Sequence, residues 1–372
     1  MPRFSRRSFL QFSAAASATA VLPSFTEAML AQSARPRMSE PPPGAVVIDA
    51  NENPLGPCQS AREAMAVILP HGGRYASYLT DDLIKTYGQL EGVKPEYIRV
   101  TAGSTPALSL GVLAFTSPQK SYVTADPSFE LGMMMADRAK ARLVKVPLTK
   151  TYAHDVRAML SEAPDAGLFY ICNPNNPTGT LTSHADIEYL VANKPKDSIV
   201  MVDEAYIHLT DKAESTLDLV KADKDVVVLR TFSKIYGMAG IRCGVAMARP
   251  DLLNRTLERG GWNFMPVTAV VAASASLKDA QLVPERRSIN ATVRQQTFDW
   301  LDRNGYTYIP SESNCFMIDV KRPGRQVQEA MAKQDVFIGR TWPIMPNWVR
   351  ITVGTEDEME KFQAAFQRVM KA

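Results

Sequence analysis

The 372-residue sequence predicts an α/β protein, with a mostly parallel sheet wrapped by helices in a large domain and a smaller α+β domain built from the N- and C-terminal segments. Three observations carry this. Short β-branched runs alternate with helix-length stretches from Ile98 to Ala246, the order of a parallel sheet with helices on its faces. Several runs end in polar turns: GLFYICNPNNPTG (Gly167 to Gly179), SIVMVDEAY (Ser198 to Tyr206) and VVVLRTFSKIYGMAGIRCGVA (Val226 to Ala246). Beyond Trp262 the alternation gives way to a long helical stretch and hairpin-like segments.

Taken in order, residues 1–36 read as an export leader. Ser5-Arg6-Arg7-Ser8-Phe9-Leu10 is a basic start, Phe12 to Phe25 is a short, weakly apolar run, and small residues between Ala28 and Ala34 suit cleavage. Paired arginines in that setting are the mark of the twin-arginine route, and the run is too short to anchor the chain in a bilayer. A proline-rich linker, Pro36 to Pro43, leads to the loop DANENPLG at Asp49 to Gly56 and a helix from Gln59 to Leu69. The break at His71 to Tyr75 precedes an amphipathic helix to Leu90. Ile98 to Thr101 is a strand. Gly103-Ser104-Thr105 then opens a helix from Pro106 to Phe115, with proline in the first turn, where its missing N–H costs nothing. Strands follow at Ser121 to Thr124 and Arg142 to Val146, then in the three runs quoted above. The C-terminal part reads as helix from Pro266 to Trp300, strands at Thr307 to Ile309, Cys315 to Val320, Val336 to Gly339 and Trp348 to Val353, and a closing helix from Glu356 to Met370. The expected division is residues 37–70 as an N-terminal segment of the small domain, 71–265 as the large domain and 266–372 as the small domain.

Residues just past the carboxyl ends of parallel strands gather in one crevice, which brings Asn176, Asp203 and Lys234 together. A lysine in a Ser-Gly-rich turn between buried strands is placed to condense with a carbonyl as a Schiff base. Arg242, with Thr231 and Ser233, supplies donors for a phosphate, and the helix start at Gly103, Ser104 and Thr105 attracts the same group. A buried carboxylate, an amide, a lysine and an arginine are what pyridoxal phosphate requires, the carboxylate pairing with the ring nitrogen.

TFSKIYGMAGIRCG, NPNNPTG and DEAY, in that setting, resemble the fold-type-I pyridoxal phosphate aminotransferases, and most of all the histidinol-phosphate aminotransferase group. The resemblance runs from DANENPLGP at Asp49 to VRITVGTEDEMEKF near the C-terminus. It implies pyridoxal 5'-phosphate on Lys234, with Asp203 at the ring nitrogen, Asn176 and Tyr206 at the ring oxygen, and Phe129 flat against the ring. It implies Arg350 as a clamp for a substrate carboxylate or phosphate, Arg340 as its partner for a distal anion, and Asn53 in a loop over the substrate where some members have tyrosine. Tyr75 resembles the tyrosine that reaches the cofactor phosphate of a neighbouring subunit, so a homodimer is implied. The expected reaction moves an amino group from a histidinol-phosphate-like or aromatic donor to a 2-oxo acid such as 2-oxoglutarate. A lyase of the phosphothreonine decarboxylase type would share every cofactor residue. Thr105-Pro106 stands where relatives often carry an acidic residue.

The composition narrows the alternatives. A net charge of +3 is too small to argue for nucleic acid or an acidic membrane surface. The cysteines Cys58, Cys172, Cys243 and Cys315 lie far apart, mostly in apolar runs, and read as buried thiols, not metal ligands or disulfides. The leader implies passage through the twin-arginine translocase and a periplasmic destination, with the cofactor loaded before export.

Overall fold

The computed structural model describes residues 41–260 and 264–371; the leader and Trp262 lie outside the described residues. The larger sheet has seven strands: β2 (Ile98–Thr101), β3 (Ser121–Asp126), β4 (Leu143–Pro147), β5 (Ala166–Cys172), β6 (Ile199–Asp203), β7 (Val226–Thr231) and β8 (Gly244–Met247). Their order is β2-β8-β7-β6-β5-β3-β4, and every pairing is parallel except the two made by β8. The central strands β5, β6 and β7 are buried along their whole length. Such strands need apolar residues on both faces, which is why they read as continuous Val/Ile/Leu-rich runs with no alternation.

The sheet direction places the chemistry. Asp203 is the last residue of β6, Cys172 the last of β5 and Thr231 the last of β7, so the turns bearing Asn176 and Lys234 leave from one edge. β8 runs the other way, and its first residue, Gly244, pairs with Thr101 and Thr231. Arg242, just before β8, therefore returns to that same edge.

Helices α1 (Gln59–Ile68) and α2 (Ser77–Glu91) both pack against the helix Val267–Lys278, and α3 (Thr105–Phe115) begins soon after β2. The helical stretch expected from Pro266 to Trp300 is two helices, Val267–Lys278 and Leu282–Arg303. The break falls where Asp279 accepts the amide of Gln281 at 3.1 Å, a side-chain turn that competes with helical bonding. Residues of Gln59–Ile68 and Val267–Lys278 join the larger core with the sheet, whereas the sequence places both with the smaller domain. Their small faces, Ala61 against Ala269, Ala272 and Ala273, are fully buried.

A second core gathers Val46 and Ile48 with residues between Val293 and Val369. It lies on an antiparallel sheet in which β10 (Cys315–Asp319) is flanked by β9 (Thr307–Ile309) and β12 (Trp348–Thr352). The expected hairpin strand at Val336 is not in this sheet. Val336–Ile338, β11, pairs in parallel with Val46–Ile48, β1. This ties the N-terminal segment to the C-terminal core and sets the loop that follows, Asp49 to Gly56, across the strand-end edge of the large sheet.

Candidate active site

At that edge lies a cavity of about 380 Å³, between the large sheet and the smaller core. Lys234, Asp203, Asn176, Tyr206, Phe129, Ser104, Thr105, Ser233, Arg242, Arg340 and Arg350 all line it. Residues spread over more than two hundred positions of sequence thus meet, most of them from turns at the large sheet's strand ends and Arg340 and Arg350 from the smaller core.

The Lys234 amine donates to the backbone oxygen of Asn51 at 2.9 Å and lies 5.5 Å from the centre of the Tyr206 ring. Burial, helped by the positive charge of Arg350, lowers its pKa to about 8. Such an amine is closer to the neutral, nucleophilic form than an exposed lysine.

Asp203 is 3% exposed. Its carboxylate accepts from the Tyr170 hydroxyl at 2.9 Å and from the Ala205 amide at 3.2 Å. Burial pushes its pKa up to about 6 against those two donors and the charge of Lys234. The adjacent Glu204 does different work. It accepts from the Arg230 guanidinium at 2.9 Å, from Ser215 and from the amide and hydroxyl of Thr216, and Arg230 also reaches Glu91 at 2.8 Å. One carboxylate fastens the strand end and its neighbour is left facing the cavity.

The same division appears among the three asparagines of NPNNPTG. Asn173 exchanges two hydrogen bonds with Thr182, each of 3.0 Å. Asn175 donates to the Pro127 oxygen at 3.2 Å and accepts from Ser128 at 2.9 Å. Only Asn176 lines the cavity, where its carbonyl oxygen accepts from Arg350 at 3.0 Å.

The anion cradle forms where β2, α3 and the Lys234 turn meet. Ser104 precedes α3 without a side-chain capping bond, so the first-turn amides keep their free donors. Arg242 is held by the carbonyls of Ala239 and Ala102 at 2.7 and 3.1 Å and reaches the Ser233 hydroxyl at 3.4 Å. Gly103 has φ +82, and a Cβ there would stand 2.2 Å from the Arg242 guanidinium. Glycine at this position is what lets the loop lie against the arginine.

Arg350, on β12, donates to Asn176 and to the Asp49 carbonyl, while its Nε is buried with no hydrogen-bond partner. Arg340 pairs with Glu130 and lies 4.0 Å from the centre of the Trp342 ring.

Gly103 contributes through the loop it permits and is not itself part of the wall. Two expected residues stand apart from the cavity. Asn53 turns away, donating to the Ile235 carbonyl at 3.1 Å and accepting from the Leu55 amide at 3.0 Å. Tyr75 is 77% exposed, with its ring 4.7 Å from that of Phe264. The sequence reading also missed a residue. Asn51 has φ +54, donates to the Tyr206 hydroxyl at 3.0 Å and to the Cys315 sulfur at 3.1 Å, and accepts from Thr352 at 3.1 Å. Asparagine's tolerance of the left-handed region is its only local signal. All four cysteines are buried and free, and no group of potential metal ligands occurs among the described residues.

A lysine of lowered basicity, a buried carboxylate and an anion cradle at one sheet edge suit the enzymes that work through pyridoxal phosphate. The comparisons carry this further: the chain belongs to the aminotransferase class I and II family, whose model matches residues 44–366. It is 32% identical to the histidinol-phosphate aminotransferase of Moorella thermoacetica, over 87% of this chain and 85% of that protein. A solved protein of Erwinia carotovora atroseptica, described as a candidate histidinol-phosphate aminotransferase, matches with a TM-score of 0.85 at 29% identity over 90% of this chain and 99% of its own. The pyridoxal-5'-phosphate complex of the Sinorhizobium meliloti histidinol-phosphate aminotransferase shares the fold, with a TM-score of 0.79 at 24% identity, covering 88% and 91% of the two chains. The protein is a pyridoxal phosphate-dependent aminotransferase. A twin-arginine signal model matches residues 3–23, and no described helix is long and apolar enough to cross a membrane.

The raised pKa of Asp203 has a measurable consequence in cofactor-free protein. Its ordinary value is 3.8 and its folded value about 6, so the native state binds this proton more tightly than the unfolded chain. Stability from this group is present below pH 4 and is lost as pH rises to about 6, a change of about 3 kcal/mol. Urea unfolding between pH 4 and 7 should show that loss, and Asp203→Asn should lack it. Parallel pH profiles for the two proteins would refute the assignment.

Proposed function

We propose that this aminotransferase takes its amino group from a histidinol-phosphate-like or aromatic donor and passes it to a 2-oxo acid such as 2-oxoglutarate. The observation that carries this is Arg350: a guanidinium in the same cavity as Lys234, bonded only to neutral oxygens, with a buried Nε still unpaired. A planar fork in that state is suited to a carboxylate or phosphate. The relatives named above, called histidinol-phosphate aminotransferases, point the same way.

The residues divide the work as follows. Pyridoxal phosphate, when bound, supplies an aldehyde that takes up the amino group and a ring that accepts electron density. The amides of Ser104 and Thr105, beside Gly103, would hold its phosphate with Ser233 and Arg242. Asp203 would face the ring nitrogen and keep it protonated, and Asn176 and Tyr206 would donate to the ring oxygen. Phe129 would cover one face. Lys234 would attach the aldehyde and, once released, carry the proton lost from the donor Cα. Its lowered pKa leaves part of the population neutral near pH 8 and ready to accept that proton.

Borohydride reduction of the holoenzyme followed by peptide mapping should label Lys234, and Lys234→Ala should retain cofactor while losing about 10⁴-fold in turnover. The donors to compare are histidinol phosphate, phenylalanine and O-phosphothreonine. Amino transfer from the first two supports the reading, whereas carbon dioxide release from the third without amino transfer would replace it with the lyase.

A homodimer with shared sites accounts for Tyr75. Its exposed ring packs against the exposed ring of Phe264, and Val67, Leu69 and Tyr78, near it in sequence, are exposed too; exposed apolar patches mark interfaces. Mixing Tyr75→Ala with Lys234→Ala subunits should restore part of the wild-type activity through one hybrid site. No recovery after verified subunit exchange would count against sharing.

The leader makes a periplasmic site of action the natural reading. The twin-arginine model at residues 3–23 supports export, and four free buried thiols suit a chain that folds in a reducing compartment first. Cell fractionation should find the native enzyme in the periplasm with its N-terminus cut between Ala28 and Ala34, and the version with Arg6 and Arg7 changed to Lys in the cytoplasm. Equal cytoplasmic retention of both would remove the proposal.

A further inference from the structure

Three arginines line the cavity; Arg242 belongs to the anion cradle, and the other two, Arg340 and Arg350, differ in what balances their charge. Among the described residues Arg350 has no acidic partner: its bonds go to the Asn176 side-chain oxygen and the Asp49 carbonyl, and its Nε is unpaired. Arg340 is already neutralised by Glu130. The Glu130 side chain is 7% exposed and that of Arg340 20%. Glu130 stands just before the helix Leu131–Arg138, whose N-terminal end favours a negative charge. The guanidinium of Arg340 also lies 4.0 Å from the centre of the Trp342 ring, itself 1% exposed. One end of Arg340 is held by a buried carboxylate and its face by a buried indole, so it is not poised to swing toward a ligand. The Glu130 charge also acts on Arg350, opposing the repulsion from Arg340.

We infer that Glu130 determines specificity in this enzyme: with Arg242 assigned to the cofactor phosphate, Glu130 occupies Arg340 and leaves one uncompensated guanidinium for the substrate, so the site favours substrates with a single anionic group over dicarboxylates. The inference rests on the aminotransfer reading and on Arg350 as the clamp. A substrate with one anion, the carboxylate of an aromatic amino acid or the phosphate of an amino alcohol phosphate, is matched by Arg350 alone. A substrate with a second carboxylate must either strip Arg340 from Glu130, leaving a buried carboxylate without its cation, or set that carboxylate beside Glu130 as a like charge. Both penalties fall on binding, not on proton transfer at Lys234, so they raise KM and leave kcat alone. Glu130 is a positioning residue acting through Arg340. Among 2-oxo acids, 2-oxoglutarate becomes an acceptor that reacts with a high KM.

The test uses the holoenzyme, with glutamate and 2-oxoglutarate as two-anion substrates and phenylalanine as the one-anion substrate. Glu130→Gln keeps the side-chain shape and an acceptor oxygen for Arg340 but removes the charge. It should lower KM for glutamate and for 2-oxoglutarate about tenfold, with kcat and the phenylalanine constants within about twofold. Glu130→Asp should restore wild-type values, and Arg340→Gln added to Glu130→Gln should abolish the gain. An equal change for both donors, or an unchanged KM for glutamate, would overturn the inference. Wild-type protein gives an arm that needs no variant and no turnover: fluorescence titration should show 3-phenylpropionate binding more tightly than glutarate. Glutarate binding as tightly or more tightly would also overturn it. Should this binding order hold while no donor transfers its amino group, the inference stands and the functional reading alone fails.

Discussion

The rest of the site depends on keeping a carboxylate out of water at the end of the central strand. Asp203 is buried with only a hydroxyl and an amide as direct partners, and such a group is costly unless positive charge stands nearby. The cavity supplies it in excess. Lys234, Arg242 and Arg350 line it, and among the described residues no carboxylate is bonded to any of the three. Charge of that sign, without its own counter-ions, suits a phosphorylated cofactor and an anionic substrate. The lysine itself is discharged in part by the same surroundings, so one electrostatic arrangement prepares an acid position and a nucleophile together.

Holding that arrangement falls to groups that never face the cavity. The Glu204, Arg230 and Glu91 cluster, with Ser215 and Thr216, fixes the end of β6 from behind. Asn173 and Asn175 fix the turn after β5. Removing one member of a buried ion pair typically costs about 3–5 kcal/mol. The supporting residues are therefore as constrained as those at the surface of the site, though they take no part in the chemistry.

The N-terminal segment closes the cavity because β1 joins β11 in the smaller core and its continuation must cross the large sheet's edge. Asn51 is the point of contact: its backbone oxygen receives both Lys234 and Asn314, and its side chain links Tyr206, Cys315 and Thr352. A left-handed backbone conformation there turns both amide and side chain inward. Both cores thus meet at the lysine, and movement of one against the other would be felt by its amine directly.

The sequence by itself determined the elements whose signal is local. Buried strands announced themselves as β-branched runs, and polar turns at their ends put Asp203, Asn176 and Lys234 at one edge, because parallel strands share a direction; Arg242 returns to that edge because β8 runs the other way. Asn176 was legible at that edge as well, but the sequence could not say why its neighbours stay out: Thr182, Pro127 and Ser128 take Asn173 and Asn175. Nor could it give the partner of Val336–Ile338, which lies nearly three hundred residues away at Val46–Ile48, or divide Pro266 to Trp300 into helices belonging to different cores. Asn53 and Asn51 look alike in DANENPLG, and backbone conformation alone turns the second inward. The charge state of Arg340 was likewise hidden: a glutamate 210 positions away neutralises it, and only the tertiary fold brings the two together.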